Sequence, residues 1–294
     1  MKKAVVIGGS GFIGSHVADC LSHKGYDTFI FDQKVSPWLN DKQHMVEGDI
    51  LDKESLEQVL SNASVVYNFA GISDLNFALT KPIHTAEMNI IGNLNIMEAC
   101  QKHKVDRFIF ASTVYVNSNE GGFYKCSKIA CENYLEEFHK SYGLNFTILR
   151  YGSLYGPRAD SNNGIFRIIK KAISENELIY EGHIDTTREY IHVTDAAESS
   201  VLVLDKEYEN QTLTVTGQQT IKVIDLLKMI GEILDIPEEK IKIIDKYQIG
   251  HYIRTPYALQ KKFTKKIVPN KYVDIGEGIL QIVNELQQIK TNSL

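Results

Sequence analysis

The chain runs to 294 residues, 43% hydrophobic and 23% charged, which gives it the apolar mass for one large core and a smaller lobe and excludes a disordered chain. A formal charge of -5 excludes the broad basic face that nucleic-acid phosphates reward, so an anionic ligand must be held by a few placed groups. Cys20, Cys100, Cys126 and Cys131 form neither a CxxC pair nor any metal-ligand spacing, so the expectation is free thiols and no metal. The basic start and apolar run of MKKAVVIGGSGFIGSHVADCL are broken by four glycines. No segment approaches the roughly 20 apolar residues of a membrane span, and a cytoplasmic protein without a membrane partner is expected.

Short β-branched runs alternate with longer helical patterns through the first half, the mark of a parallel sheet wound with crossover helices. Lys3–Ile7 reads as the first strand and Ile13–His23 as the helix after it. Between them lies Gly8-Gly9-Ser10-Gly11-Phe12-Ile13-Gly14, a strand-to-helix turn. Glycines there allow a tight turn and close backbone approach to a pyrophosphate, while the helix N-terminus favours the anion. Gly8, Gly11, Phe12, Ile13 and Gly14 are therefore candidate cofactor residues. Thr28–Phe31 is the second strand. Asp32 ends it, 18 residues after Gly14, where a carboxylate accepts both ribose hydroxyls and repels a 2′-phosphate. NAD is favoured over NADP.

Further along, Asp49 and Ile50 follow a third strand, with Asp49 placed to reach adenine, and Lys53–Leu60 is a helix. Val65–Phe69 is the fourth strand, with Asn68, Ala70 and Gly71 closing it beside the cofactor. Pro82–His103 reads as one long helix, Phe108–Ser112 as the fifth strand, Tyr124–Tyr142 as a helix and Phe146–Leu149 as the sixth strand. Thr113 stands at the mouth of the fifth strand, with Ser112 as its alternative. Tyr124 and Lys128 are four residues apart on one helical face. An ammonium about 4 Å from a phenol is worth about 4 kcal/mol at an effective dielectric of about 20, enough to favour the phenolate. Tyr257 and Lys261 repeat the spacing, but no strand of this kind precedes them, and Tyr124 is the expected acid/base.

From Tyr151 the texture changes. YGSLYGPRADSNNG reads as a long functional loop. A helix near Ile165–Ser174, a strand over Glu189–His192, a helix over Ala196–Leu204, the strand QTLTVTG, a helix Ile221–Leu234 and a final helix near Gly276–Lys290 follow.

Read in order, GGSGFIGSH, DQK, GDILD, NFAG, EMNIIGNLNIMEAC, RFIFAST, YKCSK, LRYGSLYGPRA and REYIHVTDAA resemble the NAD-dependent epimerase/dehydratase family of extended short-chain dehydrogenases. The resemblance covers nearly the whole chain. It implies an α/β fold: a Rossmann-like doubly wound parallel sheet over 1–153 and 188–217, with a smaller C-terminal α/β substrate domain over 154–187 and 218–294. It puts Gly8, Gly11, Gly14, Asp32, Asp49 and Asn89 around NAD, and Thr113, Tyr124 and Lys128 on the catalytic triad. For a nucleotide-diphosphate sugar it implies contacts at Ser153, where many members carry asparagine, and at Arg188 and Arg254 on the phosphates. It also implies a homodimer through the two long helices, with Ile91, Leu94, Met97, Leu135 and Phe138 supplying apolar contacts.

The implied activity is oxidation at C4 of a nucleotide-activated sugar, continued to the 4-epimer. A 4-dehydrogenase releasing the keto-sugar is the alternative, and a non-catalytic NAD-binding sensor or scaffold would show a broken triad. Two departures stand out. Val114 and Tyr115 take the places after Thr113 where dehydratases of the family carry an acidic pair. Only ten residues separate Thr113 from Tyr124, so a roomier or more open sugar pocket is expected.

Overall fold

The computed structural model describes residues 1–246, 248, 250–256, 264–269 and 271–292, with side chains described up to 289. In chain order the first half gives β1 (Lys3–Ile7), α1 (Phe12–His23), β2 (Asp27–Asp32), β3 (Gln43–Glu47), α2 (Lys53–Leu60), β4 (Val65–Asn68), α3 (Leu75–Thr80) and α4 (Pro82–Ala86). It continues with α5 (Gly92–Lys102), β5 (Arg107–Thr113), α6 (Gly122–Tyr142) and β6 (Phe146–Tyr151). Asp52 caps α2 by accepting the Glu54 and Ser55 N–H groups, and Asp74 caps α3 through Phe77. The helix expected over Pro82–His103 is interrupted by a π turn at Glu87–Ile91, which joins α4 to α5.

Periodicity explains the layers. Val5 and Ile7 point to one side of the sheet with Val66, Phe108 and Phe110, where α2, α5 and α6 supply Leu56, Met97 and Leu135. Ala4 and Val6 point to the other with Tyr67, Ile109 and Leu149, against Val17 and Leu21 of α1. Both faces are covered, which is why these strands read as continuous apolar runs.

The second half contributes β7 (Ser153–Tyr155), α7 (Gly164–Glu175), β8 (Leu178–Glu181), β9 (Thr187–Arg188), β10 (Tyr190–His192) and α8 (Val193–Leu202). It ends with β11 (Gln211–Val215), β12 (Ile221–Lys222), α9 (Val223–Leu234), β13 (Ile241–Ile244), β14 (Lys265–Lys266) and α10 (Ile275–Asn292). The main sheet has eight parallel strands in the order β14-β11-β6-β5-β4-β1-β2-β3. The order reverses between β1 and β4, where ligands of doubly wound sheets bind.

Two expectations need correction here. The stretch after Tyr151 is not all loop, because Ser153–Tyr155 pairs in parallel with Tyr190–His192. The segment 218–294 is not wholly outside the main sheet, because Lys265 and Lys266 add an edge strand beside Leu213 and Thr214. The rest of the C-terminal segment, with α7 and β8, gathers around a third core that includes Ile165, Ile169, Leu226, Leu227, Ile230, Ile279 and Ile282.

Candidate active site

At the carboxyl end of β1 the chain bends so tightly that side chains are excluded. Gly8 has φ +77°, and a Cβ on it would lie 2.5 Å from the Ala70 nitrogen; one on Gly14 would lie 2.2 Å from the Gly8 carbonyl oxygen. The turn thereby frees a cleft of about 360 Å³ lined by Gly8, Gly11, Asp32, Ile50, Ala70 and Gly71. α1 opens at Gly11 with no side chain capping it, leaving its first-turn N–H groups for an anion. A dinucleotide pyrophosphate fits this cradle. The Phe12 and Ile13 side chains pack against the third core and the α1 core, which leaves only their backbone to face the turn.

Asp32 stands at the cleft edge, its carboxylate accepting the Ser10 N–H at 3.1 Å and the Lys34 N–H at 3.3 Å. Asp49 is turned aside: it accepts Gln33 Nε2 at 3.0 Å and the Leu51 N–H at 2.9 Å. Asn89 is buried, and its amide is spent on Ile72 and Ser127, so it supports the cleft wall rather than opening onto it.

Thr113, Tyr124 and Lys128 come together where β5 meets α6. Burial pushes the Tyr124 pKa up to about 12, and the Thr113 side chain facing its hydroxyl partly opposes that rise. Lys128 lies beside this pair. Its Nζ donates to the Ala111 carbonyl at 2.8 Å and stands 5.9 Å from the centre of the Tyr124 ring. Burial lowers the Lys128 pKa, and the nearby Cys131 and Glu132 partly oppose it. Tyr257 and Lys261 lie outside the described residues.

A larger cleft of about 610 Å³ runs from Thr113 to the second lobe, lined among others by Tyr115, Ser153, Arg167, Arg188, His251 and Tyr252. Ser153 Oγ is 3.3 Å from the Tyr252 hydroxyl. The Arg188 guanidinium lies 4.3 Å over the Tyr252 ring and donates to the Thr187 and Ile253 carbonyls. Arg254 is exposed and does not line this cleft.

Sequence reasoning missed two features of the site. One is the Ser112–Glu132–Arg150–Asn117 network behind Thr113, in which Ser112 Oγ donates to Glu132 Oε1 at 2.6 Å and Arg150 Nη1 to Asn117 Oδ1 at 3.1 Å. The spacing of Lys128 and Glu132, four residues on α6, was the available signal. The other is the wall made by Tyr115, His251 and Tyr252, which no local pattern announces. The segment between Thr113 and Tyr124 is short, but the Gly121 N–H donates to the Gly250 carbonyl at 3.0 Å, bringing His251 and Tyr252 into the gap.

Residues 4–215 match the model of the NAD dependent epimerase/dehydratase family. The chain belongs to that family. A putative UDP-glucose 4-epimerase of Methanocaldococcus jannaschii is 28% identical to it, the match covering 95% of this chain and 97% of that protein. A UDP-N-acetyl-alpha-D-glucosaminuronate decarboxylase of Bacillus cytotoxicus is also 28% identical, over 82% of this chain and 85% of its own. Among solved structures, UDP-glucose 4-epimerase of Thermotoga maritima with UDP-glucose superposes with a TM-score of 0.86, at 26% identity, over 98% of this chain and 99% of its own.

Proposed function

We propose that this enzyme oxidises C4 of a nucleotide-diphosphate sugar with NAD and returns the hydrogen to the opposite face, a nucleotide-sugar 4-epimerase. The observation that carries the reading is the pairing of Tyr124 with Thr113, which lines the inner end of a cleft whose outer part holds Arg188. Between the glycine cradle and that cleft the two ligands of such a reaction meet at one phenol. The absence of an acidic pair after Thr113 argues against 4,6-dehydration, which needs its own proton shuttles.

Once ionised, Tyr124 Oη takes the proton from the reacting sugar hydroxyl and later returns it, while Thr113 Oγ1 holds that hydroxyl in line. When bound, NAD supplies the hydride acceptor and a positive charge beside the phenol. Lys128 anchors the helix end to the Ala111 carbonyl and brings a cation to the same wall. Arg188 and Ser153 hold the diphosphate, the guanidinium fork suiting phosphate oxygens; Arg254 is proposed to join them from the surface. Asp32 binds the adenosine ribose, and Asp49 is proposed to reach adenine by releasing Gln33.

The proposal extends to organisation. The sheet unit comprises 1–153 and 188–217 with strand 265–266, and the substrate unit the remainder. A homodimer would form through α4, the π turn after it, α5 and α6, a stretch that exposes Ile83, Ile91, Tyr134 and Tyr142. Met97 and Leu135 are buried in their own core and take no part. Light scattering showing only monomer at micromolar concentration overturns the dimer.

The activity is tested by incubating the purified protein with UDP-glucose and UDP-galactose and following the sugar signals by NMR. Interconversion without net NADH supports the epimerase. Accumulating NADH with a 4-keto sugar replaces it with a dehydrogenase, and no change in any nucleotide-sugar overturns both.

A further inference from the structure

Tyr115 lies between the reacting end of the larger cleft and its phosphate end. Its ring meets Tyr124 edge-on at 6.3 Å and Tyr252 at 4.7 Å. Tyr252 in turn carries the Arg188 guanidinium on its ring and the Ser153 hydroxyl at its tip. All of these except Tyr124 line the cleft. Two aromatic rings therefore span the interval between the catalytic phenol and the cation assigned to the diphosphate. In a nucleotide-sugar that interval is filled by the pyranose ring.

Both rings are held from two sides. The Tyr115 hydroxyl is 3.4 Å from His251 Nδ1, and Gly121 and Gly250 are joined by a backbone hydrogen bond. A Cβ on Gly121 would lie 2.9 Å from Tyr115 Cδ1, so the short segment fits closely around this ring. Beyond Tyr252, Thr187 donates to the Ile253 carbonyl at 2.8 Å and Glu189 to Thr255 Oγ1 at 3.1 Å. The segment 250–255 is thus tied to the substrate lobe and to the start of α6.

We propose that Tyr115, backed by the buried ring of Tyr252, forms the sugar-facing wall of the site and sets its specificity, receiving the apolar C–H face of a hexopyranose between Tyr124 and Arg188. This rests on the nucleotide-sugar reading above. An aromatic face against C–H groups is favourable, costs little side-chain entropy and tolerates a ring that turns over during inversion better than a fixed set of hydrogen bonds does. The two hydroxyls are already engaged by His251 and Ser153, so the rings are oriented before the sugar arrives. Val114, buried beside Tyr115, adds no polar group to this wall.

The test compares wild type, Tyr115→Leu and Tyr115→Phe, measuring KM and kcat for UDP-glucose and inhibition by UDP, which lacks the sugar. Tyr115→Leu should raise the UDP-glucose KM by about 3- to 10-fold, the range of one aromatic contact, with UDP inhibition within about 2-fold of wild type. Tyr115→Phe keeps the face and should keep the KM. Equal weakening of UDP and UDP-glucose in Tyr115→Leu, or an unchanged KM in that variant, overturns the wall. A wild type that saturates with neither UDP-glucose nor UDP overturns the nucleotide-sugar reading, and the occupant of the wall with it.

Discussion

Glu132 and Arg150 meet as a two-point ion pair sealed from water, Nη2 to Oε2 at 2.6 Å and Nε to Oε1 at 3.0 Å, with each side chain 6% exposed. They join α6, which carries Tyr124 and Lys128, to β6 beside the strand that ends in Thr113. Removing one partner leaves a charge stranded in the interior, at a cost of about 3–5 kcal/mol. Glu132→Ala should therefore lower the unfolding free energy by that amount in urea titration. Glu132→Leu with Arg150→Met should recover much of the loss, since an apolar replacement of the whole pair is often neutral. A single variant as stable as wild type would mean that the pair is not buried in solution.

Tyr124→Phe removes the phenol paired with Thr113. Turnover should fall by about a hundredfold to ten-thousandfold, the usual cost of losing a general acid/base, with NAD binding and melting temperature nearly intact. Tyr257→Phe serves as the control and should change turnover little. Full activity in Tyr124→Phe on a converted substrate would reject the mechanism.

Two buried titratable groups at the junction of β10 and α8 give a pH prediction of calculable sign. His192, buried against Tyr155 with His16 and Gln281 nearby, has its pKa lowered to about 4 by burial. Between about pH 6.5 and 4 the unfolded chain takes a proton that the folded one refuses, so this group's contribution is lost as pH falls. Asp195 has its pKa raised to about 6, again by burial. Below pH 6 the folded state takes a proton earlier than the unfolded one, so this carboxyl stabilises as pH falls. The two oppose each other between about pH 6 and 4. His192→Gln should therefore gain stability on acidification through that window, and Asp195→Asn should lose it, with slopes of at most about 1.4 kcal/mol per pH unit. Identical profiles for both variants in denaturant titrations would refute the opposition.

Cofactor choice is the fourth test. With Asp32 at the cleft edge and no arginine beside it, NAD should bind far more tightly than NADP in a fluorescence titration. Asp32→Ala should narrow the gap. Equal affinities in the unaltered protein would remove this role from Asp32.

Much of this was legible because local pattern and position agree. Lys3–Ile7 and Lys53–Leu60 fall on their expected bounds, and the helix begun two residues before Tyr124 carries Lys128 on the same side. What was not legible depends on partners distant in sequence. Tyr252 comes beside Tyr115 where Gly121 and Gly250 meet across more than a hundred residues. The two-residue strands Thr187–Arg188 and Ile221–Lys222 are too short to show a period, and only their antiparallel pairing defines them. Spacing says that Lys128 shares the face of Tyr124 but not that its ammonium donates to the Ala111 carbonyl.

The amide of Asn89 returns to matter here. Its Oδ1 accepts the Ile72 N–H at 2.7 Å while its Nδ2 donates to the Ile72 carbonyl at 2.9 Å and to Ser127 Oγ at 2.9 Å. One side chain thus impersonates a neighbouring strand for the chain leaving β4. The rim at Gly71 and Ile72 is registered to the helices rather than to the sheet, with Ser127 lying between Tyr124 and Lys128 on α6. A sideways shift of α6 would reach the rim of the dinucleotide cradle through a single carboxamide, with every hydrogen bond of the parallel ladder left in place.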